Sequence, residues 1–166
     1  MSMAQALLPE FDQEMASTRT VLERIPENKT GFRPHPRSWT LGELGAHLAN
    51  LPVWATMTLT LPEFDIAPPG GPAPRSPGFE SAAASLARLD ENLAKARAHL
   101  AAATDADLLA TWSLKRGGAT VFNLPRVAVL RAMVLSHMIH HRGQLTVYLR
   151  MCDVPLPPIY GPTADA

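Results

Sequence analysis

Residues 136–144 read Ser-His-Met-Ile-His-His-Arg-Gly-Gln and lie within the last long apolar stretch of the chain. The surrounding pattern predicts an α-helix, in which His137 and His141 are one turn apart on the same face. Their imidazoles can therefore turn toward a single point, which is the arrangement that a metal site requires. At about 100° per residue, His140 lies off that face, so we do not expect it to be a ligand.

The same helical face continues with two polar side chains. Gln144 and Tyr148 fall within about 40° of the direction set by His137 and His141. Two roles are open for them: orienting a substrate beside the metal, or a core hydrogen bond and packing. Because a short His-x-x-x-His motif also occurs on structural helices, a third histidine from another helix is needed to favour a metal site.

His47 is the candidate for that third ligand. Thr40 and Glu43 form the S/T-x-x-E capping box, which predicts that a helix begins there and carries His47 one turn further on. The residues around it, 44–51, are mostly apolar, and a neutral imidazole buried among them without a partner would cost about 1–3 kcal/mol. His47 therefore requires a hydrogen bond or a metal. For Glu43 we favour the capping role over the alternative, a general base or a partner of a metal ligand.

Apolar residues recur at spacings of three and four along most of the chain, which is the period of amphipathic helices. The predicted helices are residues 8–25, a helix that begins at Thr40 and is kinked at Pro52, residues 80–103, and residues 124–151 with Asn123 as the N-cap. Proline accounts for the kink because it lacks the backbone N–H that a helix interior uses.

Two segments interrupt this helical pattern. Residues 62–77 are too rich in proline for regular structure, and a loop of this length is either a crossover or a functional lid. Residues 111–122 alternate about Gly117-Gly118, which indicates a short hairpin or an extended excursion before the last helix. Four long helices with one excursion predict an all-α fold, a four-helix bundle, that occupies residues 1–166 as a single domain.

The composition narrows the classes of function. Fifteen basic and fifteen acidic residues cancel, so the chain lacks the charge that attracts nucleic acids or anionic membranes, and we expect neither as a partner. The apolar runs are shorter than the ~20 residues needed to cross a bilayer. The single Cys152 excludes an intramolecular disulfide, and no export signal precedes Met3, so we expect a cytoplasmic protein.

Three motifs, spread over nearly the whole chain, combine these residues with their neighbours. They are Trp39-Thr40-x-x-Glu43-x-x-x-His47-Leu48, then His137-x-x-x-His141-Arg142-Gly143-Gln144-Leu145 with Tyr148-Leu149-Arg150, and Val154-Pro155-x-Pro157-x-x-Tyr160-Gly161-Pro162. These motifs resemble the DinB family of damage-inducible, YfiT-like proteins. The resemblance implies an up-down-down-up four-helix bundle with residues 62–77 as the crossover, frequently dimeric, so a homodimer is expected. It also implies a divalent metal held by His47, His137 and His141.

The chemistry of three imidazoles limits the metal. Neutral nitrogen ligands suit zinc, nickel, copper or iron and do not suit calcium or magnesium, and we expect zinc or nickel. Three neutral ligands leave at least one open position, as in catalytic zinc sites. The residues between His137 and His141 include no glutamate, unlike those of the His-Glu-x-x-His proteases, so an obvious general base is missing and no catalytic residue is assigned.

These observations lead to three functional hypotheses. The first is a metal-dependent enzyme, transferase-like or hydrolase-like, that activates a thiol or water toward a small molecule. The resemblance supports it, since similar proteins include transferases and isomerases that use low-molecular-weight thiols. The second is a non-catalytic metal-binding protein of the stress response, and the third is a bundle whose histidines only share hydrogen bonds. Metal content separates the third from the others, and a screen with thiols and electrophiles separates the first two.

Overall fold

The computed structural model describes residues 1–165. Its helices are α1 (Met3–Leu22), α2 (Leu41–Asn50), α3 (Pro52–Thr60), α4 (Ala82–Ala102), α5 (Asp105–Leu109), α6 (Arg126–Val129) and α7 (His137–Met151), with a 3₁₀ turn at Glu27–Lys29 and a π-helical segment at Leu130–Ser136. The strands are β1 (Glu63–Asp65), β2 (Thr111–Arg116) and β3 (Ala119–Pro125). None of the helices in this described part has the length and apolar character needed to cross a membrane.

The main hydrophobic core lies between the long helices. Helices α1 and α2 each pack against both α4 and α7, and α3 continues along α4 beyond the end of α2. Leu22, Leu48, Leu89 and Leu145 are among the fully buried side chains at these contacts. Burying a leucine side chain stabilises the fold by about 1.5–3 kcal/mol, so these contacts fix how the helices sit against one another.

The beginning and the end of α2 have clear local causes. The Thr40 hydroxyl accepts a hydrogen bond from the Glu43 backbone N–H at 3.1 Å, and a Glu43 carboxylate oxygen accepts one from the Thr40 N–H at 2.7 Å. The predicted capping role of Glu43 is therefore confirmed. At the other end α2 stops at Asn50 and α3 starts at Pro52, as expected for a residue that cannot donate a backbone hydrogen bond.

The predicted all-α class is wrong, because the protein also contains a three-stranded mixed sheet. The strand order is β1-β2-β3, with β1 parallel to β2 and β2 antiparallel to β3. The hairpin between β2 and β3 turns at Gly117 and Gly118, whose φ angles of 64° and 79° are readily adopted by glycine. The alternating pattern of residues 111–122 therefore marks a hairpin that belongs to a sheet rather than an isolated excursion.

The third strand of this sheet, β1, lies in the proline-rich segment 62–77, for which no regular structure was expected. Its three residues carry no proline and so keep the backbone N–H groups that pairing requires. The Asp65 carboxylate accepts hydrogen bonds from the backbone N–H groups of Gly117 at 3.1 Å and Gly118 at 2.7 Å. One carboxylate thus joins the proline-rich segment to the hairpin turn.

The predicted start of the last helix is also wrong. Asn123 is not an N-cap: it lies in β3, where its side-chain oxygen accepts a hydrogen bond from the Ser113 hydroxyl at 2.7 Å. The helix begins only at Arg126, and the predicted single helix 124–151 consists of α6, the π-helical segment and α7. Asparagine is common at helix caps and uncommon in strands, so its residue type favoured a cap, whereas pairing with β2 places it in a strand.

A buried ion pair joins α7 to α1. Arg142 is 1% exposed, and its guanidinium donates to the Glu14 carboxylate at 2.6 Å and to the Glu14 backbone carbonyl at 2.9 Å. The Tyr160 hydroxyl donates to the same Glu14 carboxylate at 2.7 Å, which attaches the C-terminal tail to the two helices. Arg142 occupies the apolar row of α7 between Met138 and Leu145, and a charged residue in such a row requires a buried partner.

Replacing Glu14 with alanine should reduce the free energy of unfolding by about 3–5 kcal/mol, because the Arg142 charge would remain buried without its partner. Urea denaturation followed by circular dichroism measures this change. The matched control is Glu23→Ala. Glu23 directly follows α1, and its ion pair with Arg19 is exposed, so the pair should contribute less than about 1 kcal/mol. Equal effects of the two substitutions would contradict the assignment.

Candidate metal centre

Helices α2 and α7 bring three histidines together. His47 projects from α2, and His137 and His141 project from the first two turns of α7. One ring nitrogen from each lies within 4.8 Å of the other two, and the Nε2 atoms of His47 and His137 are 3.3 Å apart. All three side chains are half-buried. The structure thus places the three sequence-predicted residues around one point.

The separation of the His47 and His137 nitrogens fits a metal ion. With zinc–nitrogen bonds of about 2.0–2.1 Å, two ligands of a tetrahedral site lie roughly 3.3 Å apart, close to the separation of the His47 and His137 nitrogens. Imidazoles suit transition metals, whereas calcium and magnesium prefer oxygen. His47, His137 and His141 are therefore the residues of this site that can hold a divalent transition ion.

The surroundings keep the three rings neutral. Burial lowers the pKa of His47 from 6.5 to about 4, and the proximity of His141 and His137 acts in the same direction. Burial also lowers the pKa of His137 and of His141, against the opposing effects of hydrogen bonds to the Met133 backbone and to Gln144 respectively. Since only a neutral imidazole has a lone pair free for a metal, the site is in its binding-competent form at neutral pH.

Gln144 fixes the orientation of one ring. Its side-chain oxygen lies 2.8 Å from Nδ1 of His141, and an amide oxygen can only accept, so Nδ1 carries the proton. The lone pair of His141 is then on Nε2, the nitrogen left for a metal. Tyr148 lies one turn beyond Gln144 and packs edge-on against Phe32, with ring centroids 6.1 Å apart.

Sequence reasoning did not assign a role to Trp39, which lies against the histidines. Its indole stacks on His141 with ring centroids 5.4 Å apart and an interplanar angle of 25°. The ring centroids of Trp39 and His47 are 4.8 Å apart. The side chain remains 46% exposed. It therefore forms an outer wall of the site. Its position just before the Thr40 cap was visible in the sequence, but nothing in the spacing predicted a stacking partner.

Two other residues considered in the sequence analysis, His140 and Glu43, lie outside the cluster. His140 is exposed, and its ring centroid lies 4.9 Å from that of His141. It is not part of the group formed by His47, His137 and His141. Glu43 lies beside His47 in a shared cavity, but its carboxylate is engaged by Thr40, whose backbone N–H is the main cause of its lowered pKa. The carboxylate thus stays ionised and committed to the helix cap.

Cavities open on both sides of Trp39. One, of about 250 Å³, is bordered by Trp39, Glu43, His47 and Asn50. The other, of about 220 Å³, is bordered by His141 together with Arg37, Gln144 and Tyr148. Small molecules can therefore approach the histidine cluster from either side of the indole.

Comparison with known proteins identifies the family. The sequence model of the DinB superfamily matches residues 10–145. The chain belongs to the DinB superfamily. This confirms the family predicted from the three sequence motifs. The comparison with curated proteins found no match to the chain.

Solved structures of other DinB-like proteins share this fold. A DinB-like protein from Bacillus cereus ATCC 10987 is 22% identical, with a TM-score of 0.72 over 94% of this chain and 97% of that chain. The DinB-like protein YjoA from Bacillus subtilis is 18% identical, with a TM-score of 0.69 over 95% and 99% of the two chains. YfiT from Bacillus subtilis is 16% identical, with a TM-score of 0.65 over 90% of this chain and 87% of that chain. It is described as a probable metal-dependent hydrolase with an unusual four-helix bundle topology.

The lowered pKa values predict how the stability of the metal-free protein depends on pH. An unfolded histidine binds a proton near pH 6.5, whereas folded His47 does so only near pH 4. The unfolded state therefore binds more protons in this interval, so the free energy of unfolding should be highest above about pH 6.5 and fall toward about pH 4. Chemical denaturation at a series of pH values, in the presence of a chelator, measures this free energy of unfolding. The dependence should be weaker in His47→Gln, and an identical dependence in both proteins would contradict the prediction.

Proposed function

We propose that this protein is a metal-dependent enzyme, in which His47, His137 and His141 hold one divalent transition ion, with zinc or nickel expected. The proposed substrate is a small molecule, and a thiol or water is the attacking group. The observation that carries the proposal is the convergence of three neutral imidazole nitrogens within 4.8 Å on two different helices. The description of the similar YfiT protein supports the same class of function.

The donor set suits catalysis better than a closed structural site. A divalent ion held by three neutral imidazoles keeps its full charge and an open position, which lowers the pKa of a thiol or water that reaches it. The residues of the chain then have separate tasks. Gln144 holds His141 in the tautomer with a free Nε2, and Trp39 shields one side of the cluster from solvent.

The same geometry leaves the proton acceptor of the reaction unassigned. Glu43 is a poor candidate, since its carboxylate accepts two hydrogen bonds from Thr40 and its pKa is lowered. A thiol that ionises readily needs less help from a base than water does. The transferase-like reaction with a thiol is therefore favoured by the residues at this site, and the hydrolase-like reaction by the similarity to YfiT.

Single substitutions should separate ligands from bystanders. His47→Ala, His137→Ala and His141→Ala should each lose most of the bound metal, because two remaining imidazoles hold an ion far less tightly than three. His140→Ala is the matched control and should keep it, since that ring lies outside the group of three. Elemental analysis of untagged protein gives the stoichiometry. A metal-free wild type, or loss of metal in His140→Ala alone, would contradict the assignment.

The wild type loaded with zinc or nickel should accelerate at least one of two reactions: transfer of a small thiol to an electrophile such as 1-chloro-2,4-dinitrobenzene, or hydrolysis of an ester or amide. His141→Ala should reduce the rate to that of the uncatalysed reaction, while His140→Ala should leave it unchanged. Metal binding without any reaction across a broad panel would favour the alternative, a non-catalytic metal-binding protein.

A further inference from the structure

A third cavity, which we call the apolar cavity, lies next to the cavity beside His47. It has a volume of about 240 Å³. It is lined by Val53, Trp54 and Met57 of α3, by Phe64 and Ile66, and by residues 74–77 of the proline-rich segment, among which Arg75 is the one charged residue. Trp54 and Phe64 meet edge to face with centroids 5.7 Å apart, an arrangement that offers aromatic surfaces to a ligand.

The apolar cavity and the cavity beside His47 are adjacent. Asn50, Ser76 and Pro77 border both. Asn50 follows His47 by three positions and precedes Trp54 by four, so the three side chains lie along one face of consecutive helical turns. Seven residues of helix span roughly 10 Å. A single small molecule of about this length that passes over Asn50 can therefore reach from Trp54 to the histidines.

Asn50 also limits the chemistry of such a molecule. Its side-chain amide donates to the Ala46 carbonyl at 2.7 Å and to the Pro77 carbonyl at 3.1 Å. Because both amide hydrogens are committed, the Asn50 side chain can contact a ligand only through its oxygen, as an acceptor. The middle of the molecule should therefore carry a donor, such as an amide N–H or a hydroxyl group.

Residues 74–77, which line the apolar cavity, are held in a fixed conformation. The Pro77 carbonyl is fixed by Asn50, and Pro74 and Pro77 restrict the backbone of residues 74–77. A stiff wall loses little conformational entropy when a ligand binds against it. This part of the proline-rich segment thus presents a fixed surface to the apolar cavity, in addition to connecting α3 to α4.

We propose that the apolar cavity binds the apolar part of the substrate, a molecule with a flat ring system at one end, a hydrogen-bond donor near Asn50 and its reactive group at the histidine cluster. This inference rests on the proposed function, since it places the reacting end at the metal site. The volume fits a bicyclic ring, because a cavity of about 150 Å³ in a protein core accommodates benzene. Together the two cavities fall within the range of about 300–1,000 Å³ that is typical of ligand sites.

The first experiment measures binding of 1-naphthol to the metal-free full chain by isothermal titration calorimetry. The wild type should bind one equivalent, and Val53→Trp, which fills the apolar cavity, should weaken binding by roughly ten- to hundredfold. Val147→Trp is the matched control, since Val147 is 57% exposed on α7, and it should bind as the wild type does. Met57→Trp provides a second filling variant in case Val53→Trp does not fold by circular dichroism.

The second experiment tests the connection to the histidines with 3-(1-naphthyl)propanohydroxamic acid and the nickel-loaded protein. This probe should bind more tightly than either 1-naphthol or acetohydroxamic acid. Both Val53→Trp and His141→Ala should abolish this gain in affinity over the two smaller compounds. No naphthol binding, or equal binding by the wild type and both filling variants, would overturn the apolar cavity as a site. Naphthol binding without any gain for the hydroxamate would overturn its connection to the metal.

These outcomes are distinguishable from failure of the proposed function. Naphthol binding is measured without metal, so it should persist in His47→Ala and His137→Ala even when those variants bind no ion. A protein that binds naphthol but no metal would retain the apolar cavity and lose the proposed reaction.

Discussion

The contact between α2 and α7 is the constraint on which the site depends, because it holds His47 Nε2 3.3 Å from His137 Nε2 across 90 positions of sequence. Each helix is fixed independently of the histidines. The capping box sets the start of α2, and the buried pair of Arg142 with Glu14 sets the rotation of α7 about its own axis. Since Arg142 directly follows His141, the ion pair that points into the core also directs the neighbouring imidazole toward α2.

The helical part of the fold and the histidine cluster could be predicted from the sequence. Periodicity, the capping box and the proline break are local signals, and the four-residue spacing of His137 and His141 fixes their shared face. The sheet was missed in the fold class because β1 has only three residues among prolines and pairs with a strand some 50 positions away. Short strands and distant pairings leave little trace in local patterns. The single domain, the homodimer and the cytoplasmic location remain predictions.

The parts of the site that were not predicted share one physical cause, which is dependence on distant contacts. Trp39 is recognisable as a motif residue, but its stacking on His141 depends on the packing of α2 against α7. The apolar cavity forms where α3, β1 and residues 74–77 come together, and no local sequence pattern predicts these contacts. Asn50 likewise gains its role from the Pro77 carbonyl, 27 positions away.

The most direct test of the central claim is a crystal structure of the metal-loaded protein with anomalous diffraction recorded at the absorption edge of the added zinc or nickel. The account predicts one strong anomalous peak at about 2.0–2.1 Å from a ring nitrogen of each of His47, His137 and His141. A peak bound instead by His140, or crystals grown in excess metal with no peak between α2 and α7, would contradict it.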